Sequence, residues 1–267
     1  MMLLQGAGMT TAYIQKAKRI APGKPGRFDP YNRWDRNFFL GYLGLIWFLI
    51  LMGFVPDVIR HVQKHMPAYP LVVHFHAAVF VSLLILLTAQ VLLVRAKRID
   101  LHRALGLAGA VLCVAVVALG VITSVVVDRR QLGTPHADPA FFSVQLLDMV
   151  AFAGAAGAAI LMRDDGPAHK RLMLLAVLSM VDAGFTRWLG GPMTKLLGDG
   201  FWPFMAEVYL ANGLLILGIG VFDLVTRRRL HPAYMAGAAW VSGCLLLAGW
   251  LYVTPAWKPI ALALIGR

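Results

Sequence analysis

Seven long apolar runs constrain this chain more than any other feature of its sequence. Each run has roughly 20 residues with few charges, the length that an α-helix needs to cross the hydrocarbon core of a bilayer. The whole chain is 59% hydrophobic and only 14% charged, whereas soluble domains are about 25% charged. The predicted spans cover residues 38–55, 71–94, 104–127, 141–162, 170–188, 202–222 and 235–253.

The bilayer also restricts the form of these runs. Lipid offers no hydrogen-bond partner, so each run must satisfy its own backbone groups as a helix. The sequence therefore predicts an all-α polytopic membrane helical bundle of about seven transmembrane helices. This domain covers residues 38–255, after a basic N-terminal tail over residues 1–37 and before a short external tail over residues 256–267. No run is visibly broken at mid-membrane.

The basic residues predict how the bundle is oriented. With the N-terminus inside, 17 of the 25 Lys and Arg residues fall in cytoplasmic segments and 8 fall outside. The positive-inside rule therefore favours an N-in, C-out topology. The net charge of +12 is explained by this topology, so we expect no nucleic-acid partner. The expected partners are anionic lipid headgroups at the cytoplasmic face of a bacterial inner membrane.

A histidine marks the start of a returning helix at three predicted cytoplasmic corners. The corners read RAKRIDLHRALG with His102, RDDGPAHKRLM with His169, and RRRLHPAYMAG with His231. In the first turn of a helix, the dipole favours the neutral imidazole, which is the form that binds a metal.

Three interpretations of these corners remain open. His102 and His169 could face each other as axial ligands of haem b, with Arg103 and Arg171 placed for its propionates. The histidines could instead only anchor the helix ends at the interface. The exposed amides and basic side chains could also bind an anion such as a lipid phosphate.

A second group of histidines precedes and opens the second span, in HVQKHMPAYPLVVHFH. A zinc or copper site at His74 and His76 is one interpretation. These two residues are two apart, however, so on a helix they point in nearly opposite directions. Histidines at a membrane surface are the plainer alternative, because the spacing matches no strong metal signature.

Six polar side chains form a predicted layer in the outer halves of spans four to six. Such residues are costly in lipid, by about 2.5–3.5 kcal/mol for a charged group, so they usually face the bundle interior. The layer could be a buried ion-pair network in which Arg187 pairs with Asp182 or Glu207. It could instead be a ligand, proton or metal site, lined by some of these residues and His76. The six residues are Gln145, Asp148, Asp182, Arg187, Glu207 and Asn212.

Three stretches carry a resemblance to known proteins over roughly residues 36–255. They read HFHAAVFVSLLILLTAQVLLVRAKRIDLHRALG, AHKRLMLLAVLSMVDAGFTRW and FDLVTRRRLHPAY. The chain resembles a family of uncharacterised bacterial multi-span membrane proteins, which implies a fold rather than an activity. It is more distantly similar to membrane proteins of cytochrome oxidase assembly and to transmembrane cytochromes b. The fourth span has no His, so the latter likeness implies one haem at most, between His102 and His169.

Three functions follow from these patterns. The small loops favour a non-catalytic accessory or assembly subunit of a larger membrane complex, respiratory or photosynthetic, because no soluble part is large enough for catalysis. A b-type haem electron carrier would use His102 and His169. A small proton-coupled transporter would use the outer layer, with Asp148, Asp182 and Glu207 as its carboxyl groups.

Overall fold

A computed structural model describes residues 28–266, and these form an all-helical bundle. Within them, seven helical segments are long and apolar enough to cross a membrane, which confirms the predicted fold class. The predicted basic tail over residues 1–37 lies mostly outside the described residues. The first described helix begins at Asp35.

The helices extend beyond most of the apolar runs, because the charged residues that flank a run are still helical. The bounds are α1 Asp35–Gln63, α2 Leu71–Arg95, α3 Ile99–Gln131, α4 Phe142–Leu161, α5 Gly166–Leu178, α6 Asp182–Phe185, α7 Gly191–Leu197, α8 Phe201–Arg227, α9 Pro232–Val253 and α10 Trp257–Ile265. A short 3₁₀ turn over Pro139–Phe141 precedes α4. The first to fourth spans are α1 to α4, in that order, and the sixth and seventh spans are α8 and α9.

The fifth span, Gly166–Leu197, lies at the centre of the bundle, and α2 lies at its edge. Within the most apolar stretch of each helical segment, 67% of the residues of the fifth span are buried, compared with 11% of those of α2. The fourth span packs closely beside the fifth and the seventh through the buried residues Ala151, Ala155 and Ala159. Small side chains let helix backbones approach closely in a membrane. The bundle therefore has a tight centre made of spans four to seven.

The fifth span is interrupted, which corrects the expectation that no run is broken. A turn over residues 179–181 follows α5, and its backbone bonds connect residues three apart, as in Val181 N–H to Leu178 O over 3.3 Å. The four-residue helix α6 follows, and a π-helical turn over Thr186–Gly190 then leads into α7. Mid-helix 3₁₀ and π turns often mark hinges or functional sites. Hydropathy does not detect them, because a change of helical pitch leaves the apolar content unchanged.

Helix α1 packs directly against this interruption through glycines. A Cβ atom on Gly184 would lie only 2.6 Å from the carbonyl oxygen of Leu49, and a Cβ atom on Gly53 would overlap the backbone of Gly184. Both positions require glycine because the two backbones touch. The break in the fifth span is therefore held in place by the first span.

Residues 257–265, which the sequence analysis treated as part of an external tail, form the helix α10. Its residues Trp257, Ala261 and Ile265 are buried, and this spacing of four places them on one helix face. The end of α3 fixes the helix, because Arg129 Nε donates to Ile265 O over 2.8 Å. A short helix of this kind lies on the bundle surface rather than across the membrane, which needs roughly 20 residues.

Candidate functional site

Two carboxyl groups contact each other inside the bundle, at the interruption of the fifth span. Asp148 is on α4 and Asp182 is the first residue of α6, and their side chains lie beside each other. They are only 6% and 4% exposed. Two carboxyl groups hydrogen-bond to each other only when one of them carries a proton. Such a hydrogen bond would leave the pair with one proton and one negative charge.

Polar side chains from α8 and from the turn surround this pair. Tyr209 Oη donates to Asp148 Oδ1 over 3.3 Å. Asn212 lies beside Asp182, and its Nδ2 donates to Leu178 O over 2.8 Å. In this way Asn212 satisfies a carbonyl group at the end of α5, where the regular helical bonding stops.

Two acceptor oxygens of this cluster lack hydrogen-bond partners within residues 28–266. They are Asp182 Oδ1 and Asn212 Oδ1, and both are buried. An unsatisfied buried polar group costs about 1–3 kcal/mol. Such groups are rare in native proteins, and one explanation is a functional role.

No Lys or Arg among the described residues forms an ion pair with Asp148 or Asp182. Arg187 instead lies 3.8 Å from Asp57, measured from Nε to Oδ2, and its guanidinium lies 4.4 Å from the ring centre of Phe54. The predicted pairing of Arg187 with Asp182 or Glu207 is therefore wrong. In a helix, the direction of a side chain depends on the local pitch, and the π turn rotates Arg187 toward α1.

The other members of the predicted polar layer are separate from the pair. Gln145 Nε2 donates to Asp128 of α3 over 3.3 Å, and Glu207 lies beside Gly190 in the π turn. The ring of His76 packs at a tilt against Phe80, with 4.2 Å between ring centres. The structure thus brings together only Asp148, Asp182 and Asn212 from the predicted layer.

Sequence reasoning missed Tyr209 as a member of this site. Its spacing of three from Asn212 puts both residues on the same face of α8, and this was the available signal. Tyr209 was overlooked because a tyrosine in an apolar run is unremarkable by hydropathy.

At the other end of the bundle, the structure brings His102 and His169 together. Their ring centres are 6.3 Å apart and the rings are perpendicular. The Nδ1 atom of His169 lies 2.8 Å from Ala159 O, which orients that ring and leaves Nε2 for another partner. The Nδ1 atom of His102 is buried without a hydrogen-bond partner within residues 28–266.

The arginines expected to hold haem propionates do not surround these rings as a free pair. Arg171 is fully buried, and its guanidinium binds the carboxylate of Asp223 with two hydrogen bonds, one of them 2.7 Å from Nε to Oδ2. Arg103 is exposed. The two histidines are therefore close enough to bind one metal ion between them. Arg103 and Arg171, in contrast, are not placed to hold the propionates of a haem.

His231 has a structural role. It precedes α9, and its Nδ1 accepts a hydrogen bond from Ala233 N–H over 3.1 Å, as an N-cap does. Burial lowers the pKa of His231, and the positive charge of Arg171 lowers it further. The neutral ring is the form that accepts this bond.

The histidines near the start of the second span do not form a metal centre in the described structure. His74 is exposed, while His76 is half-buried. Within residues 28–266, no group of three or more His, Cys, Asp or Glu side chains is arranged to hold a metal ion. The structure gives no support to a metal site at His74 and His76.

Comparison with models of known protein families, with curated proteins and with solved structures found no match.

Proposed function

We propose that this integral membrane protein is a proton-coupled carrier that binds and releases a proton at the Asp148–Asp182 pair. The observation that carries the proposal is the buried contact of these two carboxyl groups, without an ion-pair partner among residues 28–266. Ionisable groups inside a membrane bundle are costly and usually mark ion or substrate pathways and proton relays.

The contact between the two carboxyl groups supports proton binding rather than a structural ion pair. Two neighbouring carboxylates in a water-poor site repel each other, so they hold a proton between them. A structural role would be served better by an apolar pair or by a partner of opposite charge. Tyr209 adds a hydroxyl group through which a proton can be exchanged with Asp148.

The interruption of the fifth span provides a way to move one carboxyl group relative to the other. Asp182 follows the turn over residues 179–181, and the π turn lies only four residues further on. Asp148 sits within the regular helix α4. Movement at the turn would therefore separate the pair and release its proton. Interrupted helices at mid-membrane are where many carriers bind their coupling ions.

The infrared spectrum of the purified protein in lipid tests the proton-binding site directly. A protonated carboxylic acid has a C=O stretching band that a carboxylate lacks. We expect this band at neutral pH in the wild type, and a change in its frequency or intensity in Asp182→Asn and in Asp148→Asn. The matched control is Asp128→Asn, because Asp128 is a partly buried carboxyl group of a membrane span but belongs to a different contact. A spectrum without the band, or an unchanged band in both variants of the pair, would contradict the proposal.

Coupling to transport is tested in proteoliposomes that contain a pH-sensitive dye. A panel of amino acids, sugars, carboxylates and alkali salts is added outside, and proton movement is recorded. We expect at least one class of solute to drive proton movement in the wild type, and none to do so in Asp182→Asn.

The contact between His102 and His169 favours a second candidate, a b-type haem carrier. A haem iron would take one nitrogen from each ring and would supply one-electron redox chemistry. This chain contributes the orientation of His169 through Ala159 O. A reduced-minus-oxidised absorption spectrum tests this candidate. A haem band that disappears in His169→Ala would support it, and a featureless spectrum from freshly isolated membranes would contradict it.

The role of an accessory or assembly subunit stays a prediction from the small loops of the sequence. Extraction in a gentle detergent would test it, because an accessory subunit should purify with a partner in fixed proportion.

A further inference from the structure

We propose that a monovalent alkali cation, for which Na⁺ is the probe, competes with a proton for the oxygen atoms of Asp148, Asp182, Asn212 and Tyr209. The inference rests on the proposed function, because it assigns the competing ion to the same carboxyl pair. It predicts that the protein exchanges an alkali cation for a proton.

The first argument comes from acceptor oxygens that lack donors. Asn212 is completely buried, its amide group lies beside Asp182, and its Oδ1 has no hydrogen-bond partner within residues 28–266. Asp182 Oδ1 is in the same situation. Each of these buried oxygens lacks a donor, and a cation bound within the cluster would accept a lone pair from such an oxygen.

The second argument comes from charge. With one shared proton, the Asp148–Asp182 pair carries one negative charge. The site becomes neutral when it gains either a second proton or one monovalent cation. Because either ion neutralises the same single charge, a cation that binds to the doubly protonated pair displaces one proton, and the shared proton stays. A divalent cation would instead leave an excess positive charge inside the bundle unless the shared proton also departed.

Among residues 28–266, no Lys or Arg forms an ion pair with either carboxyl group of the pair. Tyr209 of α8 and Cys244 of α9 face Asp148, and both are neutral in their ordinary forms. Arg187, on the π turn, interacts electrostatically with Asp182, but its ion-pair partner is Asp57. The charge of the pair is therefore left for a bound ion.

The third argument comes from the type of ligand atom. The cluster offers carboxylate, amide and hydroxyl oxygens, which suit hard cations rather than soft transition metals. Within residues 28–266, no cluster of three His, Cys, Asp or Glu side chains exists that would favour a transition metal. The unwound part of an interrupted membrane helix is also a known setting for Na⁺ or proton binding.

Thermal unfolding of the full-length protein in detergent tests the inference. NaCl is compared with choline chloride at equal ionic strength, at mildly alkaline and at mildly acidic pH. Because a ligand that binds only the folded state raises Tm, we expect NaCl to raise Tm by several degrees at alkaline pH. The shift should shrink at acidic pH, where a second proton occupies the site.

Variants separate the cation site from the proton site. Asn212→Ala should abolish the Na⁺-dependent rise in Tm but keep the infrared band of the protonated carboxyl pair. Asn212→Ser, which keeps a smaller oxygen ligand, is the second variant in case the alanine variant does not fold. Asp128→Asn should keep the full Na⁺ effect.

Each outcome has one meaning. If the carboxyl band is present but NaCl changes neither Tm nor the band at any pH, the cation inference fails and the proton-binding proposal stands. If CaCl₂ or MgCl₂ raises Tm and NaCl does not, the inference of a monovalent ion also fails. If the carboxyl band itself is missing, the proposed function fails.

Discussion

The two ends of the bundle bury charged residues in opposite ways. At the end that carries His102, His169 and His231, which we call the His-corner face, opposite charges are matched. Arg171 of α5 and Asp223 of α8 form an ion pair whose two side chains are both 0% exposed. The pair is bidentate, which is the strongest geometry for an arginine and a carboxylate.

A second matched group lies beside this ion pair. Asp35 at the start of α1 binds Lys170 Nζ over 2.6 Å and Arg227 Nη2 over 2.7 Å. Through these bonds, Asp35 connects the first span to the fifth and sixth spans. Every buried charge in this network has a partner, so the network joins helices without leaving a free charge.

Toward the opposite face, Asp148 and Asp182 have each other as partners instead of a cation. Whether an opposite charge compensates a buried charge therefore separates structural from functional buried charges. A charge that is fully compensated contributes to the assembly of the bundle, whereas an uncompensated one persists only if its protonation is used.

The largest expected effect comes from breaking the matched pair. Asp223→Asn leaves the buried guanidinium of Arg171 without a counter-charge, and we expect a loss of about 3–5 kcal/mol in folding free energy. Thermal unfolding and the yield of folded protein after gentle extraction measure this loss.

The control for this variant is Asp100→Asn. Asp100 pairs with Arg98 at 2.9 Å, but both side chains are more than half exposed, so the change should be below about 1 kcal/mol. Equal losses of folding free energy in the two variants would show that burial does not determine how much these ion pairs contribute to stability.

The second effect concerns the packing that holds the interruption beside Asp182. Gly53→Ala places a methyl group against the backbone of Gly184, and overpacking of this kind costs about 1–3 kcal/mol. We also expect a weaker infrared band from the carboxyl pair, because α6 carries Asp182. Gly44→Ala is the matched control, since a Cβ atom there has no neighbour within 4 Å. A neutral Gly53→Ala variant would contradict the close contact.

The third effect is a small change in folding free energy, and it is expected to stabilise the protein rather than destabilise it. Asp148→Asn removes a buried carboxyl group that has no cationic partner, so stability should stay within about 1 kcal/mol of the wild type, on the stabilising side. The infrared band of the carboxyl pair should nevertheless change, because the two acids can no longer share a proton. Unfolding measurements beside the infrared spectrum check both parts. A loss as large as that of Asp223→Asn would indicate that the pair is structural.

The smallest effect is the pH dependence contributed by His231. Because burial and the charge of Arg171 lower the pKa of His231 in the folded protein, protonation favours the unfolded chain. The contribution of His231 is therefore complete above its ordinary pKa of about 6.5, and it declines as the pH falls through that value toward the folded pKa.

His231→Asn tests this contribution, because Asn also serves as an N-cap but does not titrate. The decrease in Tm between mildly alkaline and mildly acidic pH should be smaller in this variant than in the wild type. An identical decrease in both proteins would assign the pH dependence to other groups.

Much of the fold follows from the sequence, but the partners within the site do not. The seven runs predicted seven spans because lipid makes the transfer of each apolar segment favourable by itself. The carboxyl groups of Asp148 and Asp182 were predicted to face the interior because a charged group is costly in lipid. Their mutual contact was not predicted, because it depends on how α4 is rotated relative to the fifth span.

Arg187 shows why a correct depth does not give a correct partner. The sequence places it at nearly the same depth as Asp182, but the π turn between α6 and α7 directs it toward Asp57. The prediction of an external tail at the position of helix α10 failed for a related reason. Its three buried residues are unexceptional in sequence, and only the surface formed by α3 and the turn before α4 gives them a place to pack.

The sequence alone determined that this chain is a multi-span helical membrane protein, because hydrophobic transfer and backbone hydrogen bonding act on each segment separately. Tertiary structure decided which buried charges are compensated and where the fifth span is interrupted. Those properties depend on helix rotation, pitch and the close approach of Gly53 to Gly184, which arise only when all the spans are packed together.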